Sequence, residues 1–453
     1  MDRQLIVIAK PNFNLDQLIK KSNSNETDSF VSTLASEGVR INRLFDEEEI
    51  HPAGSFSSEN ESDMPDFSKY YKVSAPDQML EELLEQFRHS NSVEDAYIKP
   101  APELARINLE PRRDIAPPAT PDFSFRQEYL EEAPKGVDAK YAWSFPGGKG
   151  DQVNIVDIEG AWKFSHEDLR DNQGGVIGGS ESSDLSWRNH GTAVIGVISG
   201  DQNNLGVTGI SPNAKVQAVS IFGERQTSSK AIIQAANSLN PGDVILVELH
   251  APGPKFNFEQ RSDQKGYIAI EWWQDDFDTI RYATAKGVIV VEASGNGGEN
   301  LDDVIYENRF NRSSRDSGAI LVGAGAPPPG THGRDHGPDR SRLEFSNYGS
   351  IVDTQGWGRE VTTTGYSDLQ GGSNEDIWYT DQFSGTSSAS PIVVGAIACL
   401  QGIVKARGLE PLSSVRAREL LRNTGSMQQD APTSPLTQRI GNRPNLKQLI
   451  DLI

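Results

Sequence analysis

The stretch Phe383-Ser384-Gly385-Thr386-Ser387-Ser388-Ala389-Ser390-Pro391 decides how the rest of the chain is read. Its small residues open onto Ile392-Val393-Val394-Gly395-Ala396-Ile397-Ala398-Cys399-Leu400, an apolar segment of helical composition. A serine between glycine, threonine and alanine at a helix start has an unobstructed hydroxyl. Beside it lie N–H groups without intrahelical partners and the positive end of the helix dipole. Pro391 is expected in the first turn, where a missing N–H does no harm. The arrangement suits a nucleophile that generates an oxyanion. It equally suits a small-residue helix packed on a sheet, and the remaining sequence has to decide.

The chain has 453 residues, 36% of them hydrophobic, enough for more than one domain and a large core. A net charge of -21 argues against nucleic-acid binding through a basic surface. The single cysteine, Cys399, excludes an internal disulfide and a cysteine metal site, and its apolar surroundings suggest a buried thiol. No stretch approaches a membrane span, and Leu5-Ile6-Val7-Ile8-Ala9 is too short for a signal-peptide core. The expectation is synthesis in the cytoplasm, with unconventional export as the alternative.

Residues 1–98 read as a small α+β domain. Tyr70 to Val73 and Val93 to Ile98 look like strands around an amphipathic helix over Asp77 to His89. His51 to Asp66 reads as a loop. Residues 99–125, with six prolines, read as an extended linker containing the exposed pair Arg112-Arg113. From 126 to 453 short apolar runs alternate with helical segments. Val153 to Val156, Lys215 to Ile221, Val244 to Leu249, Val288 to Glu292 and Ala319 to Val322 are the expected strands. Gly191 to Ser199, Ser229 to Leu239, Asp275 to Lys286 and Ser387 to Gln401 are the expected helices. This alternation predicts a three-layer α/β fold, a parallel sheet with helices on both faces and a site at the carboxyl ends of its strands. Pro254 to Asp276, Gly325 to Arg342 and Asp368 to Asp376 read as inserted loops.

A nucleophilic serine needs a base and a group that orients the base. Asp157 ends an expected strand, where it can hold an imidazole or simply cap a turn. His190 opens an expected helix in Asn189-His190-Gly191-Thr192, as a base or as a cap. Asn296, in Ala293-Ser294-Gly295-Asn296-Gly297, can direct its amide at an oxyanion or serve as a turn residue.

Together these segments resemble the subtilisin-like serine proteases. The order Asp, His, Asn, Ser matches, as do Val-Asp-x-x-Gly at Asp157, His-Gly-Thr at His190, Ser-Gly-Asn at Asn296 and Gly-Thr-Ser-x-Ala-Ser-Pro at Ser387. The resemblance implies a serine endopeptidase of subtilisin-like fold acting on protein or peptide substrates, needing no cofactor for its chemistry. Ser387 would attack, His190 would carry the proton, Asp157 would orient His190, and Asn296 would bind the oxyanion. It places Glu248, Leu249, His250, Ala293, Ser294 and Gly295 along the substrate. Glu248, Asp302, Asp303 and Glu307 read first as surface acid on an acidic chain, with an acidic first pocket favouring Arg or Lys as the alternative. The resemblance also implies a structural calcium ion held by Asp168, Asn203 and the carbonyls of Asp201, Leu205 and Val207.

The N-terminal domain resembles the inhibitory propeptide of the family, ferredoxin-like in fold. Ala96 to Arg106 would then lie through the active site and hold the chain as a zymogen. Three departures stand out: Ile158-Glu159-Gly160 after Asp157, Glu248 and His250 in place of the usual serine and glycine, and the long connection Pro254 to Asp276. The alternative function is a catalytically silent binding module of the same fold.

Overall fold

The computed structural model describes residues 2–11, 39–50, 64–106 and 116–453. The serine-rich stretch 51–63 and Arg112-Arg113 lie outside the described residues. The chain divides into two compact units, Met1–Pro102 and Glu103–Ile453.

In the first unit Leu5 to Ala9 form a strand that is buried along its length, β1 (Gln4–Ala9). It pairs antiparallel with β3 (Tyr70–Ser74) on one side and β4 (Val93–Lys99) on the other, and β2 (Arg40–Arg43) adds to β3. Between β3 and β4 runs α1 (Leu80–Arg88), which buries Leu80, Leu83 and Phe87. Those positions share one helical stripe and pack with Leu5, Val7, Val73, Val93 and Ala96 in one core. The expected small α+β fold is the one observed.

The second unit opens with a two-residue strand, β5 (Glu103–Leu104). It continues through β6 (Asn154–Glu159), β7 (Gln173–Gly178), α2 (Leu185–Ser199), β8 (Lys215–Ser220), α3 (Ser228–Ser238), β9 (Val244–Val247), β10 (Leu249–Pro252), β11 (Tyr267–Ala269) and α4 (Gln274–Ala285). Then follow β12 (Ile289–Ala293), β13 (Ile320–Gly325), β14 (Val352–Trp357), β15 (Val361–Thr364), β16 (Tyr379–Phe383), α5 (Thr386–Ala406) and α6 (Ser414–Asn423). Seven strands form one parallel sheet in the order β14-β13-β12-β9-β6-β8-β7. Ile155, Val216, Ala218, Leu246 and Val291 join the core beneath α2 and α5. Their neighbours Val156, Val219, Ile245 and Val290 are equally buried but outside that core, because alternate side chains face opposite sides of a strand. α3 and α4 pack together and cover the sheet as well. Helix α5 is long and apolar enough to cross a membrane by length and composition, yet here that whole window is buried in the core.

Several boundaries differ from the sequence expectation, and two of them matter for the site. Strand β6 runs to Glu159 instead of ending at Val156. Helix α2 begins at Leu185, where the Asp184 side chain accepts from Ser186 N, so His190 lies inside the helix and not at its start. Pro391 sits inside α5 beyond its first turn. The expected loop over Pro254 to Asp276 contains β11 and the start of α4. Residues 103–106 and 116–125, expected as linker, belong to the larger unit. Phe123 packs edge-on to Tyr379, with ring centroids 5.3 Å apart.

Candidate active site

Strand alternation turns Asp157 and Glu159 toward the same side of β6. Both are fully buried. Asp157 Oδ2 accepts from Trp162 Nε1 at 2.7 Å. Glu159 Oε2 lies 2.8 Å from His190 Nδ1, and His190 Nε2 lies 2.8 Å from Ser387 Oγ. His190 and Ser387 thus come together as expected, but the carboxyl group on the far side of the ring belongs to Glu159. Asp157, expected in that place, is held by Trp162 instead. The cause is the longer strand: two residues more of β6 carry the acid at its tip from position 157 to 159. The sequence held a signal for this, since Glu159 is the acid directly preceding Gly160.

Ser387 is the second residue of α5, after Gly385, whose φ of 122° lies in a region that favours glycine. A Cβ on Gly385 would also stand 2.2 Å from the Ala105 carbonyl oxygen. The backbone of Thr386 and its hydroxyl each donate to Asn296 Oδ1 at 2.9 Å. This fixes the amide and leaves Asn296 Nδ2 to donate to Gln264 Oε1 at 3.2 Å.

A segment of the chain itself occupies the neighbouring cleft. Leu104 pairs with Leu249 and Glu103 with His250, so β5 adds an antiparallel strand to β10, with β11 on the other edge. Gln264 Nε2 donates to the Leu104 carbonyl at 2.8 Å, and Tyr267 Oη donates to Glu103 Oε1 at 3.1 Å. The Ala105 carbonyl oxygen lies 2.7 Å from Ser387 Oγ. Gln264 and Tyr267 were not singled out by residue type, although both lie in the long connection after β10. A cavity of about 570 Å³ lined by Leu104, Arg106, Asp184, Trp187 and Arg261 continues from the cleft.

With the segment in place His190 is shut away from water. Burial, and then the positive charge of Arg106, hold its basicity well below the ordinary imidazole range. Burial raises both Asp157 and Glu159 well above the usual carboxylate range.

The other expected site residues divide. Leu249 and His250 line the cleft segment, and His250 Nδ1 accepts from Asn296 N at 3.2 Å. Ala293 ends β12, while Asn347 holds the Ser294 and Gly295 carbonyls at 2.7 and 3.0 Å. Glu248 does not face the cleft. It is fully buried between β9 and β10, and its Oε1 contacts Ser390 Oγ. Asp302 accepts from Ser350, Asp303 from Ile305 N, and Glu307 pairs with Arg309. The acidic first pocket is therefore not assembled.

The expected calcium ligands do come together, and the two side chains among them, Asp168 and Asn203, are engaged by protein groups. Asp168 accepts from Asn203 Nδ2 at 2.7 Å and from Val207 N at 2.6 Å, and Asp201 accepts from Arg170 N at 2.7 Å. Gly206, at φ 55°, lets the loop close so tightly that a Cβ there would stand 2.1 Å from Asp168 Oδ2. Burial raises Asp168 to about 7. Among the described residues no group of three or more His, Cys, Asp or Glu side chains is placed to hold a metal ion. An ion here would have to displace the Asn203 amide and the Val207 N–H from Asp168. The melting temperature is expected to stay the same in excess chelator, whereas a bound ion would make it fall by several degrees.

The model of the Subtilase family matches residues 109–442, well over half the chain. An alkaline protease of Alkalihalobacillus alcalophilus is 28% identical over 284 residues, covering 62% of this chain and 60% of that protein. The chain thus spans less than two thirds of that relative. Subtilisin Savinase of Lederbergia lenta is 28% identical over a stretch covering 62% of this chain and 84% of that protein. In fold, the chain is similar to the epidermin leader peptide processing serine protease of Staphylococcus aureus (TM-score 0.57, 18% identity, covering 100% of this chain and 99% of that one). It is likewise similar to fervidolysin of Fervidobacterium pennivorans (TM-score 0.58, 18% identity, 100% and 61%). From the family match and the parallel sheet against which the helices bearing His190 and Ser387 pack, the chain belongs to the subtilase family.

Proposed function

We propose that this protein is a serine endopeptidase made as a zymogen, with Ser387, His190 and Glu159 as its triad and the bond between Ala105 and Arg106 as its own first substrate. One observation carries the reading. The Ser387 hydroxyl stands 2.8 Å from His190 Nε2 and 2.7 Å from the Ala105 carbonyl oxygen, while Glu159 occupies the other ring nitrogen.

In the first step Ser387 Oγ bonds to the Ala105 carbonyl carbon and its proton passes to His190 Nε2. The charge developing on the carbonyl oxygen is met by the Asn296 amide and the N–H of Ser387. Glu159 keeps Nδ1 protonated and stabilises the imidazolium. His190 then gives its proton to the Arg106 nitrogen as the C–N bond breaks, leaving Ala105 as an ester on Ser387. Water, deprotonated by His190, hydrolyses that ester. External peptides follow the same path, laid against β10 as Glu103 and Leu104 are.

Until the bond is cut, Glu103 to Ala105 shield Ser387; the smaller unit acts as the inhibitory domain from which this segment extends. Purified full-length chain is expected to acquire a new N-terminus at Arg106, and a serine-directed fluorophosphonate is expected to label Ser387 only after that cut. Labelling of the intact chain at the same rate would refute latency. A cut chain that never labels would point to a binding module.

A further inference from the structure

Three fully buried carboxyl groups converge behind His190: Asp157 and Glu159 on β6, and Glu248 between β9 and β10. Their contacts cannot all be satisfied if the three are ionised. Ser390 Oγ lies 2.8 Å from the Thr386 carbonyl oxygen and also contacts Glu248 Oε1. A hydroxyl has one hydrogen, and a carbonyl only accepts. With that hydrogen on Thr386, the second contact needs a proton on Glu248.

On the β6 side, Trp162 satisfies Asp157 Oδ2 and His190 satisfies Glu159 Oε2. Asp157 Oδ1 and Glu159 Oε1 are buried and accept no well-formed hydrogen bond from an N–H or hydroxyl group, the Ile158 N–H being the one backbone donor directed at Asp157. The two side chains lie within hydrogen-bonding reach of each other, and two ionised carboxylates cannot form such a bond. A buried charge without a donor is strongly unfavourable.

The geometry points to a cluster of three carboxyls with a single negative charge: Asp157 is a neutral acid donating to Glu159, Glu248 is a neutral acid donating to Ser390, and Glu159 alone is the carboxylate facing His190. This deepens the reading of Glu159 as the triad acid and rests on it. Asp157 and Glu248 are then positioning residues, acting on His190 through Glu159 and on the start of α5 through Ser390.

Burial pushes all three carboxyls well above the usual range; neighbouring carboxylates add to this at Asp157 and Glu248, whereas at Glu159 the Asp157 hydrogen bond partly offsets it. The charged and titratable groups facing this cluster or His190 are His190 itself on α2, Arg106 from the cleft segment, His250 on β10 and Tyr366 after β15. Holding two protons in the cluster spares His190 two further negative charges, which would raise its basicity and leave it protonated over more of the working range.

The test compares the pH dependence of kcat/KM of the cut enzyme with that of Asp157→Asn and Glu248→Gln. An amide keeps the donor and the shape of a neutral acid and adds no charge change. Both variants are expected to hold the acid limb within about half a pH unit of the parent. A downward shift of about half a unit or more in either variant overturns the proposal, because it shows that a charge was removed beside His190.

A second measurement alters none of the three carboxyls and needs no hydrolysis. Carbon-13 carboxyl spectra of the full-length Ser387→Ala chain are expected to show Asp157 and Glu248 protonated and Glu159 ionised at neutral pH; any other pattern overturns the proposal. If that pattern appears in a chain whose unaltered form hydrolyses nothing, the proposed function fails and the proton assignment stands.

Discussion

Ser387→Ala is expected to leave the full-length chain uncut and to lower kcat on peptide substrates by roughly a million-fold, the scale of losing the triad serine in subtilisin, a relative of this protein. The side chain lost is small and its neighbours are packed, so the fold should persist. Its hydroxyl is the atom that bridges His190 and the Ala105 carbonyl, and no other described hydroxyl shares both contacts. Mass spectrometry of the purified variant should return one chain joined across Ala105–Arg106, without the Arg106 N-terminus. Incubation with a trace of active enzyme tests whether that bond can be cut by another molecule. A variant that still cuts itself with the parent's kinetics would sink the assignment of Ser387.

Glu159→Gln carries the second largest expected effect, a fall in kcat of roughly ten-thousand-fold with KM little changed. The amide is close in shape to the carboxyl, so packing around β6 is retained. It lacks the negative charge that stabilises the imidazolium, and its NH2 group can turn toward Nδ1 and favour the wrong tautomer. Glu159→Asp, with a carboxylate held back by one methylene, should recover part of the loss. Steady-state kinetics on one chromogenic peptide across both variants settles the matter: a Gln variant within tenfold of the parent would return the role to another group.

The contrast between Glu159 and Asp157 shows where sequence reasoning ran out. The parallel sheet and the helices over it were legible in the apolar runs, and the meeting of His190, Asn296 and Ser387 was implied by the resemblance of their motifs, in order, to the subtilisin-like proteases. A strand end is uncertain by a couple of residues, and residues two apart point the same way. Asp157 and Glu159 were therefore equivalent by periodicity, and only the extended pairing of β6 with β8 and β9 separates them. Strands β7 and β14 were missed because Gln173-Gly174-Gly175 and Asp353-Thr354-Gln355-Gly356 interrupt the apolar pattern. At the expected calcium loop, the Asp168 carboxyl is met by the Asn203 amide and by a backbone N–H turned inward beside Gly206, and composition does not report that.

The segment Glu103 to Ala105 reaches the cleft as part of the chain it blocks, so its hold on Ser387 is a matter of tethering. A tethered occupant acts at an effective concentration set by its connection, on the order of millimolar for a short flexible one. Dilution does not weaken it, and an external peptide or inhibitor must compete against that fixed value. Breaking the bond after Ala105 removes the fixed value. The occupant then belongs to a separate molecule, and its grip follows ordinary mass action. On the zymogen reading proposed above, a concentrated solution of cut enzyme would stay quiet while the same preparation, diluted, would become active, so the single hydrolysis event would exchange a latency independent of concentration for one that concentration controls.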